Sequence, residues 1–180
     1  MALVARLRPG ETLGDRVMKV DHAGEHGAIC IYRAQRWVAR WRAPELIPEL
    51  SDFLTHERDH RARFGAELAR RNKRRCRSYL WCGLGGVVLG TMTGIAGRQA
   101  IAATTVSIER VVLRHMREQV QALDGVDEQA AETLRGIISE EQEHHDISAA
   151  RLPSGAVWPK LIDPLVAGAT EAVIWLGMRL

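Results

Sequence analysis

Two short elements of the chain pair a carboxylate with an imidazole three residues later: Glu57-Arg58-Asp59-His60 and Glu141-Gln142-Glu143-His144. Residues three apart on a helix share a face. Each Glu and its His would therefore point the same way and could hold one metal ion. One such pair is common on solvated helices, and the spacing of these two carries more weight. The interval from Glu25 to Glu57 is identical to the interval from Glu109 to Glu141. The second set thus repeats the first at one constant offset along the chain. The pattern reads as a duplicated helical hairpin. Each copy presents one Glu from its first helix and one E-x-x-H from its second.

Four carboxylates and two imidazoles on four helices are the donor set of ferritin-like di-iron proteins. Two iron ions close together repel unless anionic oxygens bridge them. Carboxylates can bridge, chelate or shift between modes, and imidazole suits iron while leaving positions open for dioxygen. We expect two Fe2+ ions here. Glu57 and Glu141 are assigned as bridges. Glu25 and His60 complete one iron; Glu109 and His144 complete the other. Glu109 follows the largely apolar run Ala102–Ile108, where an unpaired carboxylate would be costly to bury. Glu25 lies beside Ala23, Gly24, Gly27 and Ala28, small residues that let helices approach closely. The bland alternative, six surface residues with an accidental repeat, requires two equal spacings by coincidence.

Other polar residues near these positions read differently. Glu140 and Glu143 fit solvated helix positions. Asp59, Asp146 and His145 are candidate partners that orient the ligating histidines, with ordinary surface roles equally open. His22, His26 and His115 read as packed or hydrogen-bonded histidines rather than ligands.

The elements that must position the six donors are helices. Five helical stretches can be read. The first runs from about Thr12 to Arg42, with Val17, Val20, Ala23, Ala28, Ile31, Ala34 and Val38 at helical spacing. The second runs from about Pro48 to Arg71. A charge-free stretch, Tyr79 to Gly97, continues directly into the helix that carries Glu109, where helical spacing resumes from Ala100 to Leu123 and Asp124-Gly125 marks the stop. Another runs from about Asp127 to Arg151, and the last from Trp158 to Leu180. No strand pattern competes. The expected fold is all-α: a ferritin-like four-helix bundle of two repeated helical hairpins, with an added apolar C-terminal helix, in a single domain spanning residues 1–180.

Composition agrees. The chain has 180 residues, 46% hydrophobic and 26% charged, with a net charge of +3, values of an ordinary globular domain. Cys30, Cys76 and Cys82 are odd in number and lack C-x-x-C spacing, which argues against a disulfide scaffold or structural zinc. Met1 to Arg16 lacks the order of a secretory signal and is short for a transit peptide.

At the donor residues the chain resembles the demethoxyubiquinone hydroxylase family of ubiquinone biosynthesis. The matching pieces are Val20-Asp21-His22-Ala23-Gly24-Glu25-His26-Gly27-Ala28, the H-E-R-D-H around Glu57, the V-S-I-E ending at Glu109, and E-E-Q-E-H-H-D from Glu140 to Asp146. The similarity runs from about Leu13 to Leu180. The resemblance implies a di-iron monooxygenase that hydroxylates the ring of a polyprenylated demethoxyquinol with O2 and an external reductant, NADH being the proposed donor. It places the family's six ligands on Glu25, Glu57, His60, Glu109, Glu141 and His144. Two positions depart from the family pattern. His26 and Met116 stand where the family usually has Tyr, and the tyrosine replaced by Met116 has been considered for electron transfer.

A polyprenyl quinone lives in the bilayer, so a membrane surface is an expected partner. The charge-free stretch and the apolar C-terminal segment are candidate surfaces, inserted partially at the interface. The basic run Arg70 to Arg75 would face anionic headgroups. The expected location is peripheral, on the cytoplasmic face of the inner membrane or the matrix face of the mitochondrial one. Homo-oligomers or other ubiquinone-biosynthesis proteins are compatible partners. Nucleic acid is not, because no aromatic or motif context accompanies the basic run. Three readings compete: an iron-storage or peroxide-scavenging ferritin-like protein, a family member hydroxylating a different ring position, and a non-enzymatic membrane scaffold.

Overall fold

A computed structural model describes residues 4–180. Met1, Ala2 and Leu3, the start of the stretch read above for a leader, lie outside them. The described chain forms six helices and a 3-10 turn over Pro44–Leu46. They are α1 (Leu13–Arg42), α2 (Ile47–Arg70), α3 (Tyr79–Ala96), α4 (Arg98–Leu123), α5 (Glu128–Ala150) and α6 (Val157–Gly177).

Local chemistry sets the helix ends. Thr12 caps α1 in a reciprocal box with Asp15, which satisfies two of the unpaired N–H groups at that end. Asp127 caps α5 by accepting from the Ala130 N–H at 3.3 Å. The Arg71 guanidinium ties these starts together: it forks onto Asp127 at 2.6 and 2.7 Å and reaches Asp15 at 3.5 Å. Lys73 adds a 2.9 Å ion pair to Asp15.

The expected direct run from the apolar stretch into the Glu109 helix is not what forms. Gly97, at φ +96°, breaks the chain between α3 and α4. Few L side chains tolerate that conformation, and glycine does so at little cost.

α1 and α2 are antiparallel, with Tyr32 against Phe53 and His22 against Gly65. α4 and α5 repeat the arrangement, with Arg117 reaching Gln142. These four helices form the bundle. Apolar clusters fill it on either side of the polar centre: Val17, Phe64, Leu123 and Leu134 at one end, Ile29, Leu50, Leu54 and Ile101 at the other.

The apolar C-terminal helix is more than an addition. α3 lies parallel to α1, through Gly83, Gly86, Gly90 and Gly94, each against the next turn of α1. α6 lies parallel to α4 in the same manner: Ser107 and Arg110 hold Asp163, and His115 holds Glu171. The repeat unit is therefore three helices, a hairpin plus a flanking helix, rather than a hairpin alone.

Candidate metal centre and groove

The six donors converge in the middle of the bundle. Glu25 comes from α1, Glu57 and His60 from α2, Glu109 from α4, and Glu141 and His144 from α5. None is more than 5% exposed. Their ligand atoms fall into two groups, each with its atoms within 4.8 Å of one another: Glu25, Glu57, His60 and Glu141, then Glu57, Glu109, Glu141 and His144. Glu57 and Glu141 belong to both.

The chemistry of the cluster fits a pair of cations. Both Glu57 oxygens, Glu141 Oε2, His60 Nδ1 and His144 Nδ1 are buried without a hydrogen-bond partner among the described residues. His60 Nδ1 lies 2.9 Å from Glu141 Oε1, and His144 Nδ1 lies 3.4 Å from Glu57 Oε1, so both imidazoles face the carboxylates. Buried lone pairs aimed at a common centre are costly unless a cation takes them up. The charges say the same. Burial, then the neighbouring carboxylates, pushes Glu25 and Glu109 well above the usual carboxylate range. Burial also opposes ionisation of Glu141 and the imidazoles, but their mutual attraction wins. It holds Glu141 low and lifts His144 to about 10. These residues could bind a metal, and uptake would displace the protons that Glu25 and Glu109 hold.

The groups behind the imidazoles are not the ones the sequence suggested. His60 Nε2 lies 3.2 Å from Glu140 Oε2, and Arg63 stands behind Glu140 at 3.5 Å. His144 Nε2 lies 3.0 Å from His56 Nδ1. Glu140, read above as solvated, thus backs a candidate ligand. Asp59 instead pairs with Arg63, and Asp146 with His145. The missed pair had a signal: His56 and Glu140 each immediately precede the Glu of an E-x-x-H, so they occupy equivalent places in the two repeats.

Tyr32 was also missed. Its buried hydroxyl donates to Glu109 Oε1 at 2.8 Å. Its counterpart in the second repeat is Met116, which offers Glu25 no such bond. Tyr32→Phe is expected to weaken metal binding by about tenfold, the low end of what losing an outer partner costs. Calorimetric titration checks this; an isotherm identical to that of the parent chain would refute it.

One face of the centre opens on an apolar cavity of about 660 Å³ between α1, α3, α4 and α6. Glu25, Glu57, Glu109 and Glu141 are at its wall, with Ile31, Leu89, Ile108, Met116, Ile162 and Val166 among the residues around them. Asp21, one helical turn before Glu25, also lines it. Gln119 Nε2 donates to Asp21 Oδ1 at 3.1 Å, and burial pushes the Asp21 carboxyl up to about 7. A second cavity of about 440 Å³ touches His144 from the α2/α5 side, lined by Glu49, Asp52, His56 and Glu143 together with Phe53 and Ile147.

His22, His26 and His115 stay off the metal centre. His26 stacks on Tyr79 at 4.0 Å, and Arg75 covers that ring at 4.6 Å. His22 stacks more loosely on the same ring, and His115 pairs with Glu171. The basic run is partly consumed internally. Arg70 and Arg71 are paired to Glu67 and Asp127, and Lys73 to Asp15. Among the described residues, Arg74, Arg75 and Arg77 have no carboxylate partner. The surface available to headgroups is therefore narrower than the whole run. The three cysteines are free.

α3 is the one helix among the described residues long and apolar enough to cross a membrane, and a third of it is buried. Leu80, Trp81, Leu84, Val88, Met92 and Ile95 face outward from it.

Fold and site together define a ferritin-like helical bundle protein with a buried carboxylate–imidazole cluster able to hold metal. Residues 12–177 match the family model described as "Ubiquinone biosynthesis protein COQ7". The chain belongs to that family. It is 34% identical over 167 residues to a protein of Rhodospirillum rubrum named 3-demethoxyubiquinol 3-hydroxylase, covering 92% of this chain and 77% of that one. It is 32% identical over 170 residues to a Dictyostelium discoideum protein named NADPH-dependent 3-demethoxyubiquinone 3-hydroxylase, mitochondrial, with coverages of 92% and 76%. The human protein of the same name is 31% identical over 171 residues, with coverages of 92% and 77%.

Proposed function

We propose that the chain is a di-iron monooxygenase that hydroxylates the ring of a polyprenylated demethoxyquinol in ubiquinone biosynthesis. The observation that carries this reading is the placement of six buried donors at an apolar groove, in a chain whose relatives bear hydroxylase names. Glu57 and Glu141 would bridge two iron ions. Glu25 and His60 would complete one, Glu109 and His144 the other. Bound iron would supply the activation of dioxygen, which no side chain here can perform.

The chain's own residues do the rest. The apolar walls accept the prenyl tail and exclude water from the ring. Glu140 and His56 fix the orientation of the two imidazoles. Tyr32 holds Glu109 in place. The reductant is a reduced nicotinamide dinucleotide, NADH or NADPH, the latter being the donor named for several relatives.

The outward residues of α3 are apolar and include Trp81, and those of α6 are apolar apart from Lys160 and include Trp175. They suit a peripheral position at the inner-membrane interface, on its cytoplasmic or matrix face, where a tail could pass directly into the groove. Arg74, Arg75 and Arg77 supply positive charge for anionic headgroups. The double substitution Trp81→Ser, Leu84→Ser is expected to weaken binding to anionic vesicles by about tenfold or more. Burying such side chains contributes on the order of 1.5–3 kcal/mol each. Sedimentation with liposomes measures this, and unchanged binding would refute the placement.

The iron-storage reading finds no support in the groove or in the relatives. The deciding test is anaerobic loading with Fe2+, addition of a short-tailed demethoxyquinol, and admission of O2 with reductant. A ring product heavier by one oxygen atom is expected. Iron oxidation without ring hydroxylation would overturn the proposal.

A further inference from the structure

Both repeats line the groove with corresponding residues, and the two sets differ in size in one direction. Gly24 on α1 answers Ile108 on α4, and Ala28 answers Val112. Ser78 and Cys82, at the start of α3, answer Ile162 and Val166 on α6. The reversed pairs do not restore the balance. Trp81 is larger than Leu165, but the two stand 73% and 74% exposed, and Leu89 exceeds Val173 by a single methylene. The room in the groove therefore lies on the Glu25 side of the four carboxylates. On the Glu109 side Ile108, Ile162 and Val166 are packed with Ala100 and Ala103.

Packing does not account for the smallest of these residues. The close helix approach expected around Glu25 is met by Gly27, whose Cβ position lies 3.4 Å from the Cys82 carbonyl oxygen. Gly24 takes no part in it. It is exposed, and among the described residues nothing outside its own stretch of helix lies within 4 Å of its Cβ position. It sits inside a 30-residue helix, where only proline is less favourable than glycine. Gly85 faces the same groove from α3 with its Cβ position equally empty. Two helices thus keep glycine where no neighbour requires it, beside the carboxylate wall. That space suits a group from outside the chain.

We propose that the quinol ring docks on this side of the groove, over Gly24 and Ala28 and beside Glu25, and that the size of residue 24 limits which rings fit. The ring then faces the Glu25–His60 end of the centre rather than the Glu109–His144 end. The inference rests on the quinol-hydroxylase reading above. It adds where in the groove the ring lies and which residue admits it.

The test measures dissociation constants without oxygen on the full chain loaded with Zn2+, which does not exchange electrons with the ring. The probes are a short-tailed demethoxyquinol and farnesol, a prenyl alcohol with no ring. Gly24→Leu fills the ring's space and should weaken the quinol by about tenfold or more, the scale of overpacking, while farnesol changes by less than about threefold. Gly24→Ala should weaken the quinol by a smaller factor. Both variants should raise the melting temperature of the loaded protein, because each replaces glycine inside a helix with free space around it. A lower melting temperature for Gly24→Ala would show that the glycine serves the fold, and would overturn the proposal. Adding Ile108→Ala to Gly24→Leu opens the other side of the groove and should not restore quinol binding. Recovery to the parent constant would place the ring there and overturn the assignment. Should Gly24→Leu lose its fold or its zinc, Gly24→Ala carries the test with the same signs. An unchanged quinol constant, or equal losses of quinol and farnesol, overturns the proposal while leaving the hydroxylase reading standing. A parent chain that binds no quinol overturns both.

Discussion

Glu57→Ala and Glu141→Ala are each expected to abolish binding of both metal ions, whereas Glu25→Ala should leave one. The asymmetry follows from the two groups of donors: Glu57 and Glu141 occur in both, and Glu25 in one. Removing a shared carboxylate would strip a ligand from each ion and take away a group able to bridge them. The loss should exceed about 100-fold in affinity, beyond the cost of losing an outer partner, and hydroxylation should vanish with it. Metal analysis after gel filtration gives the stoichiometry, and anaerobic titration gives the affinities. Two ions retained by Glu57→Ala would contradict the assignment. A second readout needs no metal. Burial and the carboxylates around it hold Glu25 well above its usual range, so Glu25→Gln replaces a group that resists ionisation by a neutral amide. The metal-free variant should melt at a higher temperature than the metal-free parent. A lower melting temperature would mean that Glu25 serves the fold rather than a cation.

The second large effect lies in the seam between α1 and α3. A Cβ at Gly90 would stand 2.4 Å from the Ile31 carbonyl oxygen, and one at Gly86 would stand 2.4 Å from that of Gly27. These neighbours are backbone atoms and cannot swing away. Gly90→Ala should therefore cost about 1–3 kcal/mol, the usual penalty of overpacking, and Gly90→Val more. Gly85 on the same helix is the control. Among the described residues nothing outside its own stretch of helix lies within 4 Å of its Cβ position, so Gly85→Ala should gain up to about 1 kcal/mol from helix propensity alone. Urea denaturation measures both. Equal effects at the two positions would show that the close approach of α3 contributes nothing. The contact also has a functional side, because α3 forms one wall of the groove. Pushing it off α1 would widen the entry for the substrate.

Much of this protein is legible in its sequence because two rules operate locally. Metal chemistry restricts donors to a few residue types, and the helix places residues three apart on one face. Together they make the two E-x-x-H elements and their equally spaced upstream glutamates visible. The constant offset then pairs the two halves, and the six side chains do converge. The helical class follows from composition and apolar spacing for the same local reason.

What the tertiary structure alone decided are relations between helices. Glu140 looks solvated along its own helix, yet the crossing of α2 and α5 sets it against His60. Tyr32 reads as an ordinary aromatic until α4 brings Glu109 to its hydroxyl. Arg71 and Lys73 of the basic run turn inward because the end of α2 meets the starts of α1 and α5, where Asp15 and Asp127 wait. Gly83, Gly86, Gly90 and Gly94 form a recognisable stripe, but only the parallel seating of α3 on α1 shows what they admit. Spacing along one helix is governed by its own hydrogen bonds. Contact between helices depends on how all of them pack around a shared core, and that is a property of the whole molecule.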